Sequence, residues 1–270
     1  MENIPFCHWK RSWTDSVTGT FWLQDLLPND LPDTRILSFG YEISKSSIVT
    51  LEEIASKLFE ELDRIREDTD SETRPIIFLA HSLGGPLLKG ALASRPGNGD
   101  GSLASNIKSA TYGLLFFGVP RRSEEAYNNL AMIMAQDDKD ASNRSERTLM
   151  NALKRDVIWL RETGAEYSQM CVDLAIKQFS ESSDGSAPEK PHNMVNSIPL
   201  AKSHGQMIKF PSSEDMDYQK VSRLLLVMYA EATKTTSSDL SRGIELDMLI
   251  TDAILTGKYP NIAVLQRVRS

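Results

Sequence analysis

The chain is poor in several features that would place it in a specialised class of protein. Its 270 residues include only two cysteines, Cys7 and Cys171, which excludes the disulfide framework of a small secreted domain. The most apolar internal run, Tyr112–Val119, is far too short to cross a bilayer. The formal net charge is −7, and an acidic chain repels phosphate backbones. We therefore expect neither a transmembrane segment nor a nucleic-acid partner.

The amino-terminal residues lack the apolar core of a secretory signal, so we expect a cytoplasmic protein. Hydrophobic residues make up 40% of the chain and charged residues 25%, which is ordinary for a globular protein. The length suits one large α/β domain.

Apolar, strand-like segments alternate with amphipathic, helix-like segments along most of the chain. The predicted strands are Arg35–Tyr41, Pro75–Ala80, Tyr112–Phe117, Cys171–Phe179 and Ser197–Ala201. The predicted helices are Val49–Ile65 (with a capping box of Thr50 and Glu53), Leu83–Ala93, Glu124–Ala135, Ser145–Thr163 and Glu214–Thr233. This alternation predicts an α/β fold with a mostly parallel central sheet flanked by helices.

Two polar regions interrupt this pattern. Arg95–Asn106 is rich in Gly, Asn and Ser and predicts a loop. A Ser/Thr-rich break follows the last strong helix, and only a weak helix is predicted beyond it, near Gly243–Leu255. We therefore predict a domain over residues 1–234, followed by a linker and docking tail over residues 235–270.

The most informative segment is Ile76–Gly85, with the sequence IIFLAHSLGG. A buried strand runs directly into Ser82, and two glycines open the helix after it. A nucleophilic serine on such a sharp strand-to-helix turn needs small residues two positions before and after it, and Ala80 and Gly84 meet that need. The turn exposes the hydroxyl and directs the N–H of Leu83 at a developing oxyanion. Ser82 is thus the candidate nucleophile for acyl chemistry, although a serine that merely caps a glycine-rich helix is the plainer alternative.

A serine nucleophile needs a base, and the chain has only four histidines. Where the partners follow the serine in the order acid, then histidine, His8 is excluded. The His81 side chain should point away from its neighbour Ser82, so we assign it to substrate binding. His192 lies in a polar, proline-flanked loop that suggests a solvated histidine. His204 follows a short strand and precedes a long helix, which makes it the candidate base.

The acid that orients the base should follow the strand Cys171–Phe179. Glu181 and Asp184 both lie just beyond its predicted end. The residues alone do not separate these two candidates.

Several segments resemble the serine-esterase, lipase-like α/β-hydrolase domains of fungi, which often precede NACHT or ankyrin-repeat regions. The matching segments are Gly19–Glu42, Arg74–Gly85, Tyr112–Pro120 and Ser203–Phe210. They cover most of the chain from Trp13 to Phe210. The resemblance implies an α/β-hydrolase fold, favours Glu181 over Asp184 as the acid, and supports His204 as the base.

The chain departs from this family at two places. The family's first strand, which ends in His-Gly-Leu-Gly-Gly and whose loop supplies a second oxyanion donor, has no match near Asn3–Cys7. We therefore expect the first strand to be missing. After the strand that ends in Phe-Phe-Gly, the family's histidine is replaced by Arg121. An arginine can bind a carboxylate, so Arg121 joins His81 as a candidate substrate-binding residue, although a solvated surface arginine is the plainer alternative.

The resulting hypothesis is a serine esterase or acyl hydrolase that acts on an acylated small molecule or lipid. Ser82 would attack, His204 would act as base, Glu181 would orient it, and Leu83 would stabilise the oxyanion. No cofactor or metal is expected, and the sequence does not indicate an oligomeric state. A non-hydrolytic binding or signalling module is one alternative; a cyclase or acyl-transfer enzyme acting on a secondary metabolite is another.

Overall fold

The computed structural model describes residues 8–43, 50–93, 103–119, 173–182, 197–236, 246–255 and 264–267, with the isolated residues 156, 159, 162–163 and 167. Its strands are β1 Thr34–Ile43, β2 Ile76–His81, β3 Thr111–Phe117, β4 Ala175–Glu181, β5 Ser197–Leu200, β6 Leu246–Leu255 and β7 Val264–Arg267. Its helices are α1 His8–Trp13, α2 Trp22–Asp25, α3 Leu27–Asp30, α4 Leu51–Glu67, α5 Gly84–Ala93, α6 Leu103–Ala110 and α7 Met216–Thr236.

The strands form one seven-stranded sheet in the order β5-β4-β3-β2-β6-β1-β7. Six strands are parallel, and β7 pairs antiparallel with β1 at one edge. Helices flank this sheet, so the predicted α/β class with a mostly parallel sheet is confirmed.

Side chains that alternate along the strands divide the core between the two faces of the sheet. On one face, Phe78 of β2 and Phe116 of β3 belong to a cluster with apolar residues of α4 and α5. On the other face, Leu79 and Phe117 belong to a cluster that includes Trp22 of α2 and Tyr218 of α7. Every residue of β2 is buried, as expected for a central parallel strand covered on both sides.

The predicted strands and helices that fall on the described residues agree with the structure to within a few residues, with three exceptions. The capping box of Thr50 and Glu53 is present at the start of α4. The predicted loop Arg95–Asn106 is wrong at its end, because α6 begins at Leu103. The predicted strand Cys171–Phe179 is displaced, since β4 runs from Ala175 to Glu181. The predicted helix Glu124–Ala135 lies outside the described residues, as does the predicted helix Ser145–Thr163 except for residues 156, 159, 162 and 163.

The third exception is the segment near Gly243–Leu255, for which the prediction of a weak helix is wrong. Leu246–Leu255 forms strand β6, which lies between β1 and β2 and is parallel to both. Residues 246–250 are all buried, and apart from Asp247 they are apolar, as expected for a central parallel strand covered on both faces. Residues 246–255 and 264–267 thus belong to the central sheet, within the stretch that we predicted to be a linker and docking tail.

A buried charge cluster fixes the position of β6 at the start of the strand. Asp247 is fully buried and accepts hydrogen bonds from Nε and Nη2 of Arg35, each at 2.7 Å, and from Nη1 of Arg66. Arg35 comes from β1 and Arg66 from α4. A shift of β6 by one residue would move this carboxylate to the opposite, apolar face, so the cluster specifies the register of the strand.

Among the described residues, no helix combines the length and the apolar character that a membrane crossing requires.

Candidate functional site

Ser82 occupies the sharp turn between β2 and α5. Its backbone φ is +53°, in the left-handed region that non-glycine residues rarely adopt. Its N–H donates to the carbonyl of Phe117 at 3.0 Å, and its carbonyl accepts from the N–H of Gly85 at 3.1 Å. A Cβ on Gly85 would clash with the side chain of Val119, so the glycine lets the helix start close to the chain that follows β3. The turn is therefore held in a strained conformation by the packing around it.

His204 lies in the segment that connects β5 to α7. The carbonyl of the preceding residue, Ser203, accepts hydrogen bonds from the N–H groups of Gln206 and Met207, which folds the segment into a compact turn. The carbonyl of Ile208 accepts a hydrogen bond from Nε1 of the buried Trp22 at 2.8 Å. His204 is thus carried on an ordered turn that is tied to the core on one face of the sheet.

The two candidate catalytic side chains meet at the carboxyl edge of the sheet. Nε2 of His204 lies 3.0 Å from Oγ of Ser82. Burial, with a smaller electrostatic contribution from the neighbouring His81, lowers the pKa of His204 to about 3. The imidazole is therefore neutral at pH 7, and its Nε2 can accept the serine proton. Both residues are buried: Ser82 is 1% exposed and His204 4% exposed.

His81 packs against His204. The centroids of the two rings are 4.9 Å apart, and Nε2 of His81 lies 3.0 Å from the backbone carbonyl oxygen of His204. These contacts position His204 from the side of β2, the strand that leads into the sharp turn at Ser82. We call this turn the elbow. We proposed His81 from the sequence as a substrate-binding residue, and the structure places it beside the base.

Gly118 brings the backbone into contact with His204. Its φ is +56°, and a Cβ at this position would lie 2.8 Å from both Nδ1 and Cε1 of His204. Its N–H donates to the carbonyl of Phe179 at 3.1 Å, which ties the end of β3 to β4. Sequence reasoning used Gly118 only to end a strand; the glycine directly after a buried apolar strand was the available signal.

The candidate acids are not brought to His204 within the part of the chain that the structure describes. Glu181 is the last residue of β4, not a residue beyond it, and its side chain is exposed. Asp184 and Arg121 lie outside the described residues. Among the described residues, no carboxylate is hydrogen-bonded to His204. Leu83, whose N–H is the candidate oxyanion donor, directly follows Ser82 and is fully buried.

Comparison with known proteins gives one partial similarity. The chain is 35% identical over 105 residues to Protein SERAC1 of Danio rerio, and this region is 37% of the present chain and 16% of that protein. The chain thus matches a minor part of a much longer relative. No protein-family model matches the chain, and no solved structure matches it significantly.

Proposed function

We propose that this chain is a serine hydrolase of the α/β-hydrolase type that cleaves an ester of an acylated small molecule or lipid. The observation that carries the proposal is the 3.0 Å contact between Oγ of Ser82 and Nε2 of a neutral His204, on a strained turn between a buried strand and a helix. A nucleophile within hydrogen-bond reach of a base that other groups orient is the arrangement that activates serine.

In the proposed reaction, Oγ of Ser82 attacks the ester carbonyl carbon while its proton passes to Nε2 of His204. The N–H of Leu83 stabilises the negative charge on the carbonyl oxygen. When the tetrahedral adduct collapses, the alcohol leaves with the proton from His204. A water molecule, deprotonated by His204, then releases the acid and restores Ser82.

The orienting acid is proposed to come from the segment that follows Phe179. The hydrogen bond from Gly118 to the carbonyl of Phe179 joins β4 to β3 at the edge of the sheet where Ser82 lies, and Glu181 is two residues farther along. Replacing Glu181 by glutamine and, separately, Asp184 by asparagine distinguishes the two. The variant that removes the true acid should lose the larger part of kcat.

Two observations favour a second candidate, a non-hydrolytic binding module. Ser82 is nearly inaccessible at 1% exposure, and His204 has no carboxylate partner among the described residues. The same burial is compatible with an acyl-transfer or cyclisation reaction, since an acyl-enzyme shielded from water survives until another nucleophile arrives.

Labelling with a fluorophosphonate probe, followed by mass spectrometry of the adduct, tests the proposal. We expect labelling at Ser82 that is abolished in Ser82→Ala and strongly reduced in His204→Gln. Ser222→Ala is the matched control, because Ser222 is also buried but lies in α7, and it should label normally. A folded wild-type protein that never labels would remove the hydrolase proposal and leave the binding module. Labelling with turnover only in the presence of an added amine or alcohol would identify a transferase.

A further inference from the structure

Strands β2 and β6 end at different positions along the sheet, because β6 continues beyond the last residue of its pairing with β2. Strand β2 pairs with β6 from Ile76–Asp247 to Ala80–Thr251, and the chain of β2 then turns sharply at Ser82. On its other side, β6 remains paired with β1 as far as Ile43–Leu255. Four residues of β6, 252–255, therefore continue along the edge where β2 has turned away.

The hydrogen bonds at the start of β6 show which of its backbone groups face the elbow. The N–H of Leu246 donates to Asp33 beside β1, and the N–H of Asp247 donates to Pro75 beside β2. Backbone groups of successive residues in a strand alternate between the two neighbours, so odd-numbered residues of β6 face β2 and even-numbered residues face β1.

This alternation identifies one residue. The last odd-numbered residue within the pairing with β2 is Thr251, and the next is Ala253. In a continued register the Cα of Ala253 would lie opposite Ser82, and its N–H would face the carbonyl of His81, beyond the point where the pairing with β2 ends. The following odd-numbered residue, Leu255, is about 6.6 Å farther along the strand, at roughly 3.3 Å per residue. The N–H of Ala253 thus faces the side of the sheet where the serine turn begins, and it takes no part in the pairing with β1.

We propose that the backbone N–H of Ala253 is the second donor of the oxyanion hole, acting together with the N–H of Leu83. Strand β6 would then supply the donor for which the sequence near Asn3–Cys7 has no matching motif. This inference rests on the proposed hydrolase function. In the tetrahedral adduct, the two N–H groups approach the carbonyl oxygen from the elbow helix and from β6, where fixed donors stabilise the charge that develops.

The sharpest test replaces the amide nitrogen of residue 253 by an ester oxygen, using L-lactate in place of Ala253 in a semisynthetic protein. This change removes the one N–H, and its only effect on the pairing of β6 with β1 is that the Asp252 carbonyl becomes an ester carbonyl, which is a weaker acceptor. We expect kcat for an activated ester to fall about 10²- to 10³-fold, as for other single oxyanion donors. KM and the melting temperature should change little, which a purely structural role would not produce.

A recombinant variant gives an independent comparison: Ala253→Pro removes the same N–H and should behave like the lactate protein. Binding of a trifluoromethyl ketone, which forms an oxyanion on Ser82, should weaken in parallel with kcat. If the wild type labels and turns over substrate but the lactate protein has unchanged kcat, the inference is overturned and the hydrolase proposal stands. An unlabelled, inactive wild type overturns both.

Discussion

Removing the carboxylate of Asp247 should be among the most destabilising single changes in this chain. Asp247 is 0% exposed, and the side chains of Arg35 and Arg66 that bind it are 6% and 2% exposed. Asp247→Ala removes three charge-assisted hydrogen bonds and leaves two guanidinium groups buried without their anion. Breaking a buried ion pair from one side costs about 3–5 kcal/mol.

The structure also limits this cost. Arg35 keeps hydrogen bonds to Thr69 and Ser71, and Arg66 keeps those to the carbonyls of Glu72 and Arg74. These remaining partners hold the loss within the stated range, since they solvate part of each charge. Asp247→Asn, which preserves the shape and one acceptor oxygen, should cost less than the alanine variant.

The assay is equilibrium unfolding in urea at pH 7, with the free energy of unfolding taken from the midpoint and the slope. Asp68→Asn is the matched control: Asp68 also pairs with an arginine, Arg64, but at 3.5 Å and with 64% and 61% of the two side chains exposed. Such a surface pair should contribute well under about 1 kcal/mol. If Asp247→Ala costs no more than this control, the cluster does not hold β6 in the sheet.

Two further changes test the geometry around the base. Gly118→Ala should lower kcat by about 10-fold or more, because its Cβ would lie 2.8 Å from the ring of His204. Gly19→Ala is the control: Gly19 has a similar φ of +75°, but a Cβ there meets nothing within 4 Å, so this variant should reduce stability only. The unfolded chain protonates a histidine below its ordinary pKa of 6.5, whereas the folded protein holds His204 neutral down to about 3. Lowering the pH from 7 to 5 should therefore reduce the free energy of unfolding by about 2 kcal/mol through His204. This part of the pH dependence should be absent in His204→Gln. If the variant has the same pH dependence as the wild type, His204 is not held neutral by burial.

The candidate site was predictable where the chemistry depends on local sequence. The run from Ile76 to Gly85 contains a buried strand, a turn with small neighbours and a glycine-rich helix start, so the geometry around Ser82 follows from adjacent residues. His204 was reached by elimination, because few histidines were available. The residues alone did not single out the acid, since Glu181 and Asp184 both lie beyond the predicted end of a strand whose limits were misplaced by a few residues, and only the family resemblance favoured Glu181.

Strand β6 was missed for a different physical reason. A short run such as Leu246–Ile250, apolar except for Asp247, fits a buried helix and a buried strand equally well, so periodicity does not separate them. What decides its structure is tertiary: Arg35 and Asp247 are 212 positions apart in sequence, and only the folded chain brings them together. The polar break before the run suggested a tail. Local composition does not show that the position between β1 and β2 is occupied by a strand from later in the chain.

The position of β6 also connects stability with the proposed chemistry. Because β6 lies between β1 and β2, the strand that carries Ser82 has no direct pairing with the strand that precedes it in the chain. The central sheet is therefore complete only when the carboxyl-terminal segment is in place, and the charge cluster around Asp247 sets the register that determines which backbone N–H groups face the elbow. A register shift of one residue would turn even-numbered N–H groups towards Ser82 and bury the carboxylate on the apolar face. The same ion pairs that stabilise the fold thus determine, at the other end of the strand, which donor is presented to the nucleophile.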